Sequence, residues 1–229
     1  MLDELAALDQ EIRSCTHCAP ILAQYPENPP GSTPGVVPRP ILSPAIEAPI
    51  MLIGQAPGLT EYREGQPFAG SAGQEIRELF ARCGLRHMEF DGTVYQTSAV
   101  KCFPGRKLNG KRWEDRPPCA RMHKLCGDFL SRQLDLVRPA VIVALGSVAM
   151  SSLDRLRPMT RRSLGEVVGT SEKWGDRTII YLAHTSGTSR FLNSTANRDK
   201  QKCGMELLKT EIAALRAAGR LQTPAGMSS

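Results

Sequence analysis

The sequence predicts an α/β fold: a three-layer α/β/α sandwich around a four-stranded, mainly parallel central sheet. Three observations point there. Four short apolar runs have the length and composition of strands covered on both faces. Helical patterns alternate with the runs, the order that parallel crossovers need. The chemically distinctive residues fall just past the runs, and ligands of such sheets bind beyond the carboxyl ends of the strands.

The elements follow in order. Leu2, Leu5, Leu8 and Ile12 recur at helical spacing, so an amphipathic helix is expected over 2–13. Residues 20–49 carry nine prolines in thirty positions, which excludes a regular helix or a central strand and predicts a long strap. The four runs are Ile50–Ile53, Val94–Val100, Ala140–Leu145 and Thr178–Leu182. Helical patterns cover about 72–84, 120–137 and 147–156, and a last helix spans about 197–218. One domain over 1–220 and a frayed tail over 221–229 complete the expectation.

Composition narrows the function classes. The 229 residues are 41% hydrophobic and 23% charged, ordinary globular proportions that argue against disorder of the whole chain. No stretch approaches the ~18 apolar residues of a membrane span. The seven cysteines are an odd count, and Met1-Leu2-Asp3-Glu4 does not open like a signal peptide, which together disfavour a secreted disulfide scaffold. A cytoplasmic setting is expected, where clustered cysteines point to metal or catalysis. The net charge of +6 is modest, but it is unevenly spread. Residues 1–49 hold two basic and six acidic residues, whereas 103–125 hold seven basic against two acidic. That basic insertion leaves the second strand, so a nucleic-acid face is expected there.

The motifs past the strands carry the chemistry. Gly54-Gln55-Ala56-Pro57-Gly58 is a tight turn after the first strand, neither a dinucleotide fingerprint nor a phosphate loop. Gln66 to Gly73 is a glycine-rich helix entry in which Ser71 can cap and Phe68 can stack on a flat ring. His184 ends the fourth strand, where an imidazole can stabilise a developing anion. Thr185 to Arg190 after it can grip phosphates, and Arg190 or Phe191 can wedge a base stack. Cys15 and Cys18 form a C-x-x-C pair, Cys102 follows the second strand, and Cys126 lies in the next helical region. Four such thiolates can hold zinc or an iron–sulfur cluster, and Cys119 rivals Cys126 by spacing.

Together these residues resemble the iron–sulfur uracil-DNA glycosylases, the family-four branch of that superfamily. The resemblance runs from about Cys15 to about Lys209. It rests on Gly54 to Glu61, Gly65 to Gly73, Thr97-Ser98-Ala99-Val100-Lys101-Cys102 and the His184 loop, in the family's order and spacing. In the family the fourth cluster cysteine stands thirteen residues before a proline, as Cys126 does before Pro139. The resemblance therefore implies a structural [4Fe-4S] cluster on Cys15, Cys18, Cys102 and Cys126. It implies hydrolysis of the bond between uracil and deoxyribose, with uracil-containing DNA as substrate, abasic DNA as product, a monomer, and no membrane partner. Gln55, Ala56, Phe68, Ser98 and His184 would line the base pocket. Arg106, Lys107, Lys111, Arg112, Ser186 and Arg190 would meet the DNA.

Three departures from the family are visible. Gln55 replaces the family's glutamate and cannot ionise, and Ala56 is equally inert, which leaves Glu61 as the nearest matched carboxylate. Ser98 stands where the family has an asparagine that reads the uracil edge, so base selectivity is expected to differ. The basic insertion is similar to the arginine-rich loop of homologues that trap DNA through a histidine, and no histidine falls in that place here. Ordinary turnover is therefore expected, with binding without turnover as the alternative.

Overall fold

The computed structural model of the chain describes residues 2–25, 36–160, 162–184 and 190–221. The expected tail lies outside that range from residue 222 onward, as does part of the proline-rich strap.

The central sheet has five strands rather than four. In chain order they are β1 (Ile50–Gly54), β2 (Val94–Ser98), β5 (Val141–Leu145), β6 (Ser171–Trp174) and β7 (Arg177–Leu182). Their spatial order is β2-β1-β5-β7-β6. The four expected strands run parallel, and β6 pairs antiparallel with β7 at the edge. Ser171-Glu172-Lys173-Trp174 is polar and only half-buried, so no apolar run marks it. Strand two ends at Ser98, two residues earlier than expected, because Ala99 and Val100 turn to donate to the Gly54 and Gln55 carbonyls.

Every residue of β1, β2 and β5 is buried, and the pleat sends alternate side chains to opposite layers. Ile50 and Leu52 face α4 (Ser71–Arg82), α5 (His87–Thr93) and α9 (Thr195–Ala217) through Ile76, Phe80, Phe90, Leu208 and Ile212. Met51 and Ile53 face α1 (Leu2–Arg13), α6 (Ala120–Val137) and α7 (Gly146–Arg155) through Leu5, Leu130, Leu134, Ala149 and Leu153. The three expected layers result. Helix α6 stops where Arg138 takes a left-handed φ of 49° ahead of Pro139, a residue type that resists helical neighbours. Among the described residues four short helices escaped the periodicity: α2 (Ala19–Leu22) within the strap, α3 (Leu59–Glu64), α5 and α8 (Leu164–Val167). The basic insertion is not a loop. Residues Arg106–Asn109 (β3) and Arg112–Asp115 (β4) pair as an antiparallel hairpin apart from the main sheet.

A buried polar chain joins α1 to β2. Asp9 is 7% exposed, and its Oδ1 has no hydrogen-bond partner in the structure. Burial pushes its carboxyl up to about 6, against the pull of Arg13, Tyr95 and Lys101. The ordinary value is 3.8, so the folded chain holds the proton more tightly, and stability falls as pH rises through about 4 to 6. Asp9→Asn is therefore expected to stabilise the protein by about 1–3 kcal/mol at pH 8 and by almost nothing at pH 3. Urea melts at the two pH values measure it.

Candidate active site

The site lies at the carboxyl ends of the parallel strands. Gly54 closes β1 directly opposite Ser98, the last residue of β2. A side-chain carbon at Gly54 would stand 3.0 Å from the Phe68 ring and 3.7 Å from Ser98 Oγ, so these three residues converge on one point. Gln55 and Ala56, half-buried, continue from that point.

Backbone constraints set the Phe68 ring in place. Phe68 adopts φ 51°, in the left-handed region that non-glycine residues rarely occupy. Its carbonyl oxygen lies where a side-chain carbon on Gly73 would be, at 1.8 Å. Glycine at 73 is thus a condition for the turn. Ser71 does not cap α4 as expected. The N-cap is Gly70, and Ser71 is the first helical residue. Gly73→Ala is expected to cost about 1–3 kcal/mol by overpacking and to displace Phe68, whereas Gly127→Ala, which meets nothing within 4 Å, stays near neutral. Denaturant melts of the two variants make the comparison.

Glu61 ties two loops together. Its Oε2 accepts from the Gly58 N–H at 3.0 Å and its Oε1 from the Gly70 N–H at 2.9 Å. Both oxygens are engaged with backbone, so the carboxylate braces the turn after β1 against the start of α4. It also lies close enough to His184 to favour the imidazolium, but burial dominates and lowers the His184 pKa below 6.5. His184 follows β7 and packs near Gly146, where a side-chain carbon would be 3.6 Å from its Cβ. At neutral pH it is an uncharged group able to make hydrogen bonds.

Beneath Ser98 sits a residue whose role the sequence did not reveal. Lys101 is 1% exposed, and its ammonium donates to the Ser98 carbonyl at 2.6 Å and to Thr97 Oγ1 at 2.9 Å. Burial lowers its pKa to about 8. Thr97 Oγ1 bonds in turn to Gln133 of α6, which donates to Tyr95.

The cysteines sort by environment. Cys18, Cys102 and Cys126 are buried in one cluster with Val100, Phe103 and Met122, and Cys15 packs at the edge of the adjoining cluster of Leu8, Ile12, Leu42 and Phe129. The Cys126 sulfur accepts from the Cys18 thiol and the Lys101 N–H, which pulls its pKa down to about 6 while the Cys18 thiol moves upward. Burial and Cys126 push Cys102 to about 12, with a smaller push from Cys15. The four thiols thus sense one another, although among the described residues no three metal-binding side chains already form a closed ligand shell. The strap packs here: Pro40 bridges Cys102, and Ile41 donates to the Lys101 carbonyl. Cys119 occupies the N-cap position of α6 without a side-chain cap bond and packs against the cluster of Cys18, Cys102 and Cys126, Cys83 is buried in the opposite layer, and Cys203 is exposed.

The expected DNA contacts divide. Lys107, Lys111 and Arg112 project from the β3–β4 hairpin into solvent. Arg106 is turned inward, donating to the Trp113 carbonyl at 2.6 Å and lying 3.5 Å from Asp115. Ser186 lies outside the described residues, as does the side chain of Arg190. Asp115, unremarked in the sequence, reaches across 56 positions to accept from the Leu59 N–H at 3.1 Å.

The turn after β1, the Phe68 ring and the strand-end His184 thus gather at the edge of a parallel sheet where ligands of such sheets bind. A profile of the uracil DNA glycosylase superfamily matches residues 40–216, and the chain belongs to that superfamily. Its relatives include the type-4 uracil-DNA glycosylase of Archaeoglobus fulgidus, 34% identical over 60% of this chain and 65% of the relative. The type-4 enzyme of Pyrobaculum aerophilum is 30% identical over 72% of each chain. That of Saccharolobus solfataricus is 31% identical over 76% of this chain and 69% of the relative. The aligned stretch thus spans about two thirds of each relative's length. Among the described residues no helix is long and apolar enough to cross a membrane.

Proposed function

We propose that this chain hydrolyses the N-glycosidic bond of uracil in DNA and leaves an abasic site. The observation that carries the reading is the convergence of Gly54, Phe68 and Ser98 at the carboxyl ends of β1 and β2, with His184 just past the carboxyl end of β7 in the same sheet. The base must leave the stack to reach such a pocket, at a cost of a few kcal/mol. Phe68 would stack on the flipped ring, and Ser98 and Gln55 would read its polar edge. As the bond from C1′ to N1 breaks, the electron pair moves onto the uracil, and His184 would donate a hydrogen bond to its oxygen. Water then supplies the hydroxyl at C1′, and its remaining proton is taken up by the uracil anion. Lys107, Lys111 and Arg112 would hold phosphates, making binding salt-sensitive. Ser186 and Arg190 remain proposed DNA contacts. The monomeric state and a cytoplasmic, DNA-associated setting belong to the same proposal.

Cys15, Cys18, Cys102 and Cys126 would hold a [4Fe-4S] cluster. Their all-thiol donor set, the influence each sulfur has on the others and the burial of Cys18, Cys102 and Cys126 fit such a group. The cluster would supply a structural pin joining α1, the strap, β2 and α6, and it takes no part in bond cleavage.

A second reading is favoured by Gln55 and Ala56, which offer no carboxylate in the turn after β1. In that reading the chain binds uracil- or abasic-site DNA with little turnover. One experiment separates the two: single-turnover reaction with uracil-containing oligonucleotides, single- and double-stranded, followed by alkaline cleavage. Strand scission at the uracil supports the glycosylase. Retention of intact uracil DNA in a gel-shifted complex supports the binder. Parallel substrates with hypoxanthine and xanthine test the consequence of Ser98, and activity confined to one of them would replace uracil as the substrate.

A further inference from the structure

A two-stranded ribbon apart from the main sheet has little stability of its own and takes its orientation from what anchors it. The β3–β4 hairpin is anchored at its base. Arg116 N–H donates to the Gly105 carbonyl at 2.9 Å, and the Arg116 guanidinium lies 3.7 Å from the centre of the Tyr25 ring. One contact reaches instead toward the site. Asp115 Oδ2 accepts from the Leu59 N–H at 3.1 Å, in the first turn of α3. The approach depends on Gly58, where a side-chain carbon would lie 2.6 Å from Asp115 Oδ2 and 2.9 Å from Glu61 Oε2. Two carboxylates from distant segments therefore grip adjacent amides of one turn, Glu61 at Gly58 and Asp115 at Leu59. Arg106 stands 3.5 Å from Asp115 Oδ1 and supplies the compensating charge. The Asp115 side chain stays 44% exposed; desolvation raises its pKa against the pull of the Leu59 amide and Arg106, and Glu61 adds a smaller push upward.

We propose that Asp115 is a positioning residue that latches the basic hairpin to the Gly54–Gly58 turn, so that the phosphate-holding and base-holding parts move as one body. It works through the Leu59 amide and the charge of Arg106, and the reaction needs no proton from it. The proposal rests on the reading that the hairpin meets DNA. Its consequence is coupling: DNA held by Lys107, Lys111 and Arg112 orders the turn that carries Gln55.

Asp115→Ala removes the acceptor, whereas Asp115→Asn keeps an amide oxygen that can take the same N–H. In steady-state excision, Asp115→Ala is expected to raise KM on duplex substrate about tenfold with kcat within about threefold, and Asp115→Asn to recover most of the loss. Hydrogen exchange gives a readout free of catalysis. With uracil-free duplex added, wild type is expected to gain protection at 106–115 and at 55–60 together, and Asp115→Ala at 106–115 alone. Joint protection at both segments in Asp115→Ala would overturn the latch. So would a kcat loss of about 100-fold in Asp115→Asn at unchanged KM, which would make Asp115 a participant in the chemistry. A wild type that protects both segments yet excises nothing would sink the glycosylase reading and leave the latch standing.

Discussion

His184→Ala is expected to slow single-turnover excision of uracil by about 100- to 1,000-fold while leaving duplex binding within a few-fold. The magnitude is that of losing one preorganised donor to a developing anion. The two effects separate because the charge exists only as the bond breaks, so the ground-state complex has little to lose. Burial holds the His184 pKa below 6.5, against the opposing field of Glu61. The imidazole is therefore neutral throughout the neutral range, and its contribution to the rate should be flat from pH 7 to 9. A stability signature accompanies it. Below about pH 6.5 the unfolded chain takes up a proton that the folded chain refuses at this position, so stability falls with falling pH. That component should vanish in His184→Ala. Quench-flow excision and urea melts across pH read both effects, and a variant with wild-type rate would remove His184 from the mechanism.

The parts of this site that could be read from sequence are those in which local chemistry and local geometry coincide. Ile50–Ile53 and Val141–Leu145 are apolar without interruption because both faces of the sheet are covered, and that alone places the turn after β1 at a ligand-binding edge. Cys83 and Cys203 were separable by position from the four cysteines proposed as ligands; Cys83 lies in the opposite layer and Cys203 is exposed, whereas Cys119 packs against the cluster of Cys18, Cys102 and Cys126. What stayed hidden depends on contacts between distant segments. Edge strand β6 pairs through its backbone and carries polar side chains, so neither a run nor an alternation announces it. The β3–β4 hairpin reads as a charge run because its strands lie outside the core and need no apolar face. Lys101 looks like a surface cation until the fold buries it under Ser98. Glu61 was legible as a matched carboxylate, but its two backbone partners, one of them nine positions away, and the bracing they give the turn were not. Arg106 counts toward the basic stripe by charge, yet its donors are directed to the hairpin itself.

Cys126→Ser is the second variant with a large expected effect, and it acts on the fold. The purified variant should lose the brown colour of an iron–sulfur protein and unfold at much lower denaturant, with a loss of at least ~3 kcal/mol. Binding energy of a structural metal group is folding energy when the unfolded chain has no preformed site. The location argues for a loss of that size. Cys126 is 4% exposed within α6, its sulfur bonds to Cys18 and to the Lys101 N–H, and the strap runs against Cys102 through Pro40. Releasing the group would free the strap, the end of α1 and the Lys101–Ser98 corner together, since each is tied to the next. Excision should therefore fall in step with the near-ultraviolet circular dichroism signal as iron is removed. A chain that kept its fold but lost excision on iron removal would assign the cluster a part in bond cleavage. Cys119→Ser and Cys203→Ser serve as controls. Cys119 occupies the N-cap position of α6 without a side-chain cap bond and Cys203 faces solvent, so both variants should keep the colour and the stability of the parent. A colourless parent protein containing zinc would instead replace the cluster while leaving the four thiols as its ligands.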